Sequence, residues 1–112
     1  MKKIEAIVRP TKVNDVLAAL EAAGHCGLMI SEIEGHGKQK GLVHTVRGKE
    51  YRVDMMTKIR IELVVRDELL DQIVRGIREA AFTGEIGDGK IFISTIDDVM
   101  RIRTGETGAD AI

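Results

Sequence analysis

Thr83-Gly84-Glu85-Ile86-Gly87-Asp88-Gly89-Lys90 is the stretch of this chain whose composition most directly implies chemistry. Its three glycines can take positive φ and bring the backbone close to a ligand, so that amide N–H groups wrap an anion while Lys90 adds a point charge. Phosphate is the anion that such a turn suits. Gly84, Gly89 and Lys90 satisfy most of the G-x-x-x-x-G-K pattern of a nucleotide-binding P-loop, but Ile91 stands where a Ser or Thr would bind Mg²⁺. The order of elements is also reversed. A P-loop runs from a strand into a helix whose N-terminus helps to hold the phosphate, whereas here a helix-like run precedes the turn and Ile91-Phe92-Ile93 reads as a strand. Residues from elsewhere must therefore complete the cradle.

The elements that position this turn come from an internal repeat. Ile4-Glu5-Ala6-Ile7-Val8-Arg9-Pro10 and Ile61-Glu62-Leu63-Val64-Val65-Arg66-Asp67 are both strand-like runs ending in Arg and a breaker or helix-capping residue, offset by 57 positions (61 − 4). The same offset carries Val13, Val16, Leu17 and Leu20 onto Leu70, Ile73, Val74 and Ile77, each set a helical stripe at i, i+3, i+4 and i+7. A further strand follows each helix, Leu28 to Ile33 and Ile91 to Ile96. The order β-α-β-β-α-β predicts an α+β, ferredoxin-like fold, an antiparallel four-stranded sheet with two helices on one face. Runs such as Ala6-Ile7-Val8 and Leu63-Val64-Val65 put apolar residues on both faces of the sheet. With only two helices to cover them, a closed oligomer is the expected way to bury the second face.

At 112 residues and 44% hydrophobic content the chain suits one domain, 1–112. Its one interruption is a polar, Lys- and Arg-rich loop at 37–55, between the second and third strands, which is expected to stay mobile until something binds it. Tyr51 lies near the far end of that loop, either open to a modifying enzyme or an ordinary loop tyrosine. A net charge of −1 argues against a protein that coats nucleic acid, and 3% aromatic content against base-stacking platforms. Cys26, the lone cysteine, allows neither a disulfide frame nor a zinc cluster, and is read as packing near a strand start. The apolar runs fall far short of the roughly 18 residues that a membrane span needs, and Met1-Lys2-Lys3 leads into a strand rather than a signal segment. A cytoplasmic protein is expected, with no membrane insertion and no direct nucleic-acid contact.

The glycine turn together with Gly35-His36-Gly37-Lys38-Gln39-Lys40-Gly41, Tyr51 and the tail Arg101-Ile102-Arg103-Thr104-Gly105-Glu106 resembles the PII nitrogen-regulatory signal proteins, and the match spans the whole chain. The resemblance implies a homotrimer of ferredoxin-like subunits with three inter-subunit clefts. Each cleft binds ATP or ADP competitively, and 2-oxoglutarate joins Mg-ATP there. Carried over residue by residue, the nucleotide would meet Gly35, Gly37, Lys38, Glu62 and Val64, the phosphate loop 82–90 through Thr83, Ile86, Gly87, Asp88, Gly89 and Lys90, and the C-terminal segment 101–112 through Arg101 and Arg103. A triphosphate needs such fixed donors and cations to leave water. The two arginines, two apart on an extended segment, would point the same way and offer planar forks to phosphate oxygens. Gln39 would help hold Mg²⁺, Lys58 would pair with a 2-oxoglutarate carboxylate, and Gly37, Lys38, Lys40, Gly41 and Gly87 would finish that pocket. Glu62 fits either the ribose or adenine side of the cleft or a simple salt bridge.

By the same resemblance the protein is a regulator, not an enzyme, and ligand occupancy biases the 37–55 loop that meets its targets. Those targets are ammonium transporters, which would recruit it to a membrane, and glutamine synthetase or its modifying enzymes. Three residues depart from the family pattern. Val46 stands where the uridylylated branch commonly has another Tyr, Lys49 replaces its usual small residue and excludes the phosphorylation that one branch uses there, and Met29 replaces a Thr often found near adenine. Two rival readings share the fold. A phosphotransferase would draw its nucleophile from His25, His36 or His44, none of which sits in a pattern that marks it. A trimer of the divalent-metal-tolerance type would need neither the glycine turn nor the arginine pair.

Overall fold

The computed structural model describes the backbone of residues 1–25, 27–36, 42–46, 49–53 and 55–112, and the side chains of 1–25, 27–34 and 56–112. Cys26, Gly37 to Gly41 and the Tyr51 side chain lie outside the described residues.

The repeat is visible in the backbone to the residue. Strand β1 (Lys2–Val8) leads through a short 3-10 turn at Pro10–Lys12 into helix α1 (Val13–Ala22), and 57 positions later a second strand leads through Asp67–Leu69 into helix α2 (Leu70–Ala81). Arg9 and Arg66 take the same extended conformation before each turn, with φ and ψ of −64° and 143° and of −67° and 147°. Proline at the first position of the first turn needs no N–H there, and the acidic Asp67 and Glu68 suit the positive end of the second helix.

Four strands form one antiparallel sheet in the order β2 (Met29–His36), β5 (Met55–Val65), β1, β6 (Lys90–Thr95). Ile4 lies opposite both Leu63 and Ile93, and Ala6 opposite both Ile61 and Ile91, so these residues share the face that the helices cover. Ile4, Ala6, Val8, Ile61, Leu63 and Val65 close onto Val16 and Leu20 of α1 and Ile73, Ile77 and Ala81 of α2, which together form the buried core. The two-helix, four-stranded ferredoxin-like arrangement is the one the element order predicts.

The structure changes three expectations. The third strand of the large sheet begins at Met55 rather than near Lys58, because the pairing of β2 continues to His36 opposite Met55. Within the 37–55 segment expected to be a polar, mobile loop, β3 (Leu42–Val46) and β4 (Lys49–Val53) pair as a separate hairpin, with Leu42 opposite Val53 and Val46 opposite Lys49. The β-branched and apolar residues Leu42, Val43, Thr45, Val46 and Val53 are the strand signal that the surrounding charges obscure. The second sheet face is also less apolar than the runs suggest. Strict alternation places Lys3 and Glu5 beside Ile7, and Lys58, Arg60 and Glu62 beside Val64, on the face away from the helices.

Candidate functional site

Directly opposed residues show which groups the sheet gathers. Ile7 lies opposite Lys90 on one side and Arg60 on the other, and Lys58 follows Arg60 by one alternation along β5. Lys58, Arg60, Ile7 and Lys90 therefore lie on the uncovered face, at the end of the sheet where the glycine turn begins. The turn is fastened to this end through Gly89. Its φ is +96°, and a Cβ there would sit 1.7 Å from the Ile7 carbonyl oxygen, so only glycine lets the turn lie against β1.

The turn is shaped by the Asp88 carboxylate. The Thr83 and Gly84 amides donate to its Oδ2, each at 2.9 Å, the Thr83 hydroxyl donates to Oδ1, and Arg9 Nε donates to Oδ1 at 3.1 Å. The Glu85 amide in turn donates to Thr83 Oγ1 at 3.1 Å. The Thr83 hydroxyl and amide chiefly, with the Gly84 amide and Arg9, hold the Asp88 carboxyl well below the usual carboxylate range despite the opposing effect of desolvation. Arg9 Nη2 also donates to the Ile86 carbonyl at 2.8 Å, and Lys58 Nζ donates to the Gly87 carbonyl. Burial, then the neighbouring Arg9 guanidinium, lower the Lys58 pKa from 10.5, with Asp88 partly opposing. Lys58 is thus a desolvated cation, ready to gain from any anion that approaches. Lys90, on the far side of β1 from Lys58, is exposed.

The other residues expected at the site lie elsewhere. Val64 lies toward the opposite end of β5, with Glu62 between, and the six residues from Lys58 to Val64 span about 20 Å at the rise of a strand. There Gly27, Met29, Glu62, Val64, Arg66 and Ile112 line part of a groove of about 420 Å³. Glu62 makes a salt bridge: its carboxylate accepts Lys3 Nζ at 3.2 Å and Arg60 Nε at 2.9 Å, and Arg60 reaches on to Glu5 at 3.5 Å. Gly35 lies opposite Met56 next to the last residue of β2, two positions beyond the pairing of Ile33 with Lys58, so β2 ends at the Lys58 end of β5.

The C-terminal segment belongs to the groove end. β6 runs from Lys90 to Thr95 as β1 runs back from Ile7 to Lys2, and beyond it Ile96 N donates to the Met1 carbonyl while Arg66 donates to the Ala109 carbonyl. Arg101 and Arg103 are not on an extended segment as expected. Arg101 N donates to the Glu106 carbonyl and Gly105 N to the Arg101 carbonyl, both at 2.8 Å, and Met100 bridges Thr107, so residues 101–106 double back as a turn. Alternation by two does not apply inside a turn. Arg101 Nη1 pairs with Glu106 at 3.3 Å, Arg103 stands exposed near the tip, and Ile102 beside it is 99% exposed. Among the described residues of one chain, then, the expected nucleotide contacts divide into two groups at opposite ends of the same sheet.

Arg9 is the site residue that sequence reading missed, since it reads as the polar end of an apolar strand. The retrievable signal was the Thr83-x-x-x-x-Asp88 pair, because Asp and Thr in a glycine turn commonly bond its backbone and leave a carboxylate needing a cation. Among the three histidines, His25 makes a 2.8 Å hydrogen bond between Nε2 and the Gly27 carbonyl, and the side chains of His36 and His44 lie outside the described residues.

Comparison with known proteins meets this geometry. The family model described as Nitrogen regulatory protein P-II matches residues 1–106. The chain is 52% identical over 112 residues to Nitrogen regulatory protein P-II 2 of Methanothermobacter thermautotrophicus, covering all of this chain and 97% of that protein. It is 52% identical to Nitrogen regulatory protein P-II of Mesorhizobium japonicum and 49% identical to that of Azospirillum brasilense, in each case over the full length of both chains.

Proposed function

Because the chain belongs to the nitrogen regulatory protein P-II family and so is a nitrogen signal-transduction regulator, we propose that it works as a cytoplasmic homotrimer with nucleotide-binding clefts between subunits. ATP and ADP compete for each cleft, and 2-oxoglutarate joins Mg-ATP there. The observation that carries this reading is the division of the site residues. The glycine turn, Lys58, Lys90 and Arg9 stand at one end of the sheet, while Val64, Glu62, the Met29 groove and the Arg101–Glu106 turn stand at the other. A head-to-tail contact brings one group of one copy against the other group of the next, and a closed ring leaves no half-site unmatched.

The residues present suit such a ligand. A triphosphate carries about three to four negative charges and needs several fixed donors and cations to leave water. Lys58 and Lys90 from one subunit and Arg101 and Arg103 from the next meet that need. The groove would take the base, with Met29 offering a thioether where many relatives would offer a hydroxyl. Mg²⁺ contributes charge neutralisation and a template for the keto acid, and Gln39 is the residue that would hold it. Lys58 would exchange the Gly87 carbonyl for a carboxylate of 2-oxoglutarate, beside Gly37, Lys38, Lys40 and Gly41.

Regulation follows from where the 37–55 segment is rooted. It leaves β2 close to Lys58, and it contains a two-stranded ribbon, a structure only marginally stable by itself. A coupling of about 1–3 kcal/mol between site and segment suffices to alter partner affinity by several-fold to a hundred-fold. The partners are ammonium transporters and glutamine synthetase or its modifying enzymes, with Tyr51 a candidate modification point on the ribbon.

The test is subunit complementation. Lys90→Ala and Arg103→Ala should each weaken ATP binding in calorimetry by at least ~1 kcal/mol. Trimers unfolded and refolded from a mixture of the two variants should regain up to one wild-type site in three, because a cleft can then take Lys90 from one subunit and Arg103 from its neighbour. Mixtures that bind no better than either parent would show that the site is not shared.

A further inference from the structure

A polyphosphate cradle that contains an aspartate poses an electrostatic problem, since a carboxylate beside the anion opposes its binding. Asp88 sits in the middle of this one. Its oxygens face into its own turn, where they accept the Thr83 and Gly84 amides at 2.9 Å each, the Thr83 hydroxyl, and Arg9 Nε at 3.1 Å. Arg9 is thereby aimed so that its Nη2 reaches the Ile86 carbonyl at 2.8 Å, while Lys58 takes the Gly87 carbonyl.

Those two carbonyls decide where the neighbouring amides point. In a trans peptide unit the C=O of one residue and the N–H of the next project in opposite directions. With the Ile86 and Gly87 carbonyls drawn toward Arg9 and Lys58, the N–H groups of Gly87 and Asp88 are turned away from the protein. Among the described residues neither amide donates to a protein acceptor. Gly87 with φ +105° and Gly89 with φ +96° flank the outward pair, a conformation suited to an anion-binding nest.

We propose that Asp88 is a positioning residue for nucleotide binding: clasped by Thr83, Gly84 and Arg9, it sets the peptide planes of the turn without touching the anion itself. This rests on the nucleotide reading above. It reverses the simple electrostatic expectation, by which removing a negative charge from the cradle would tighten ATP binding.

The experiment is ATP and ADP titration of Asp88→Asn, with and without Mg²⁺, in the full-length oligomer. Loss of two charge-assisted bonds should weaken both nucleotides by about tenfold or more, equally with and without the metal. Faster amide exchange in residues 84–89 should accompany that loss. Thr83→Val should show a smaller loss, about threefold to tenfold, and Thr83→Ser, which keeps the hydroxyl, should bind more tightly than Thr83→Val. That pair carries the test if Asp88→Asn does not fold. Unchanged or tighter binding in Asp88→Asn overturns the inference, as does equal binding by Thr83→Val and Thr83→Ser, and so does a loss confined to Mg²⁺-containing solutions, which would make Asp88 a metal contact. A parent protein that binds no nucleotide overturns the nucleotide reading and this inference with it.

Discussion

Replacing Gly89 by Ala is the sharpest perturbation of the site's scaffold, and the structure sets its size. The added Cβ would lie 1.7 Å from the Ile7 carbonyl oxygen, 1.3 Å short of the 3.0 Å that such contacts need. The obstacle is backbone, and β1 cannot yield because it is paired on both sides, to β5 and to β6. The turn must therefore lift. An alanine at φ +96° costs about 1–2 kcal/mol, and losing one or two of the hydrogen bonds that start β6 at Lys90 costs about 0.5–1.5 kcal/mol each. The total is about 1.5–5 kcal/mol, which for a domain of this size lowers Tm by roughly 5–30 °C. Gly76→Ala is the control. Gly76 lies inside α2 with nothing within 4 Å of the added Cβ, so this change should stabilise by about 0.5–1 kcal/mol. Thermal and denaturant unfolding of both variants, with ATP titration beside them, checks the pair. A Gly89→Ala protein with the parent's Tm and affinity would refute the close approach of turn and strand on which the site geometry depends.

Three further outcomes are expected. Lys58 has its pKa lowered from 10.5, so in the interval between the lowered value and 10.5 the unfolded chain binds the extra proton. Its unfavourable contribution is thus fully present below the lowered value and is relieved as pH rises through that interval. The stability of the parent relative to Lys58→Met should accordingly climb with pH there and level off above it, and a flat difference across denaturation curves would contradict the desolvated cation. Ile77→Ala empties a fully buried position and should cost about 2–5 kcal/mol. Ile102→Ala, on a fully exposed side chain, should change the unfolding free energy of the single chain by no more than about 0.5 kcal/mol.

Much of the architecture was legible because it is written in local periodicity. The 57-residue offset placed two strands and two helices in register, and the stripes at Val16 and Leu20 and at Ile73 and Ile77 identified the faces that became buried. The glycine turn was equally legible, since glycine spacing reports backbone freedom directly. The β3–β4 ribbon escaped because its strand residues are diluted by charge, and the Ala6-Ile7-Val8 run misled because alternation divides any such run between two environments.

What the chain's order of residues determined by itself is the repeated strand and helix elements, the position of the glycine turn and the family, all of which depend on neighbours within a few residues. Only the tertiary structure decided which protein partners the charged groups take: Arg9 with Asp88 across 79 positions, Lys58 with the turn across 29, and Glu62 with Lys3 and Arg60. It also separated the site residues to the two ends of one sheet. A side chain's charge is fixed by its type, but its partner is fixed by the sheet register that brings distant residues together.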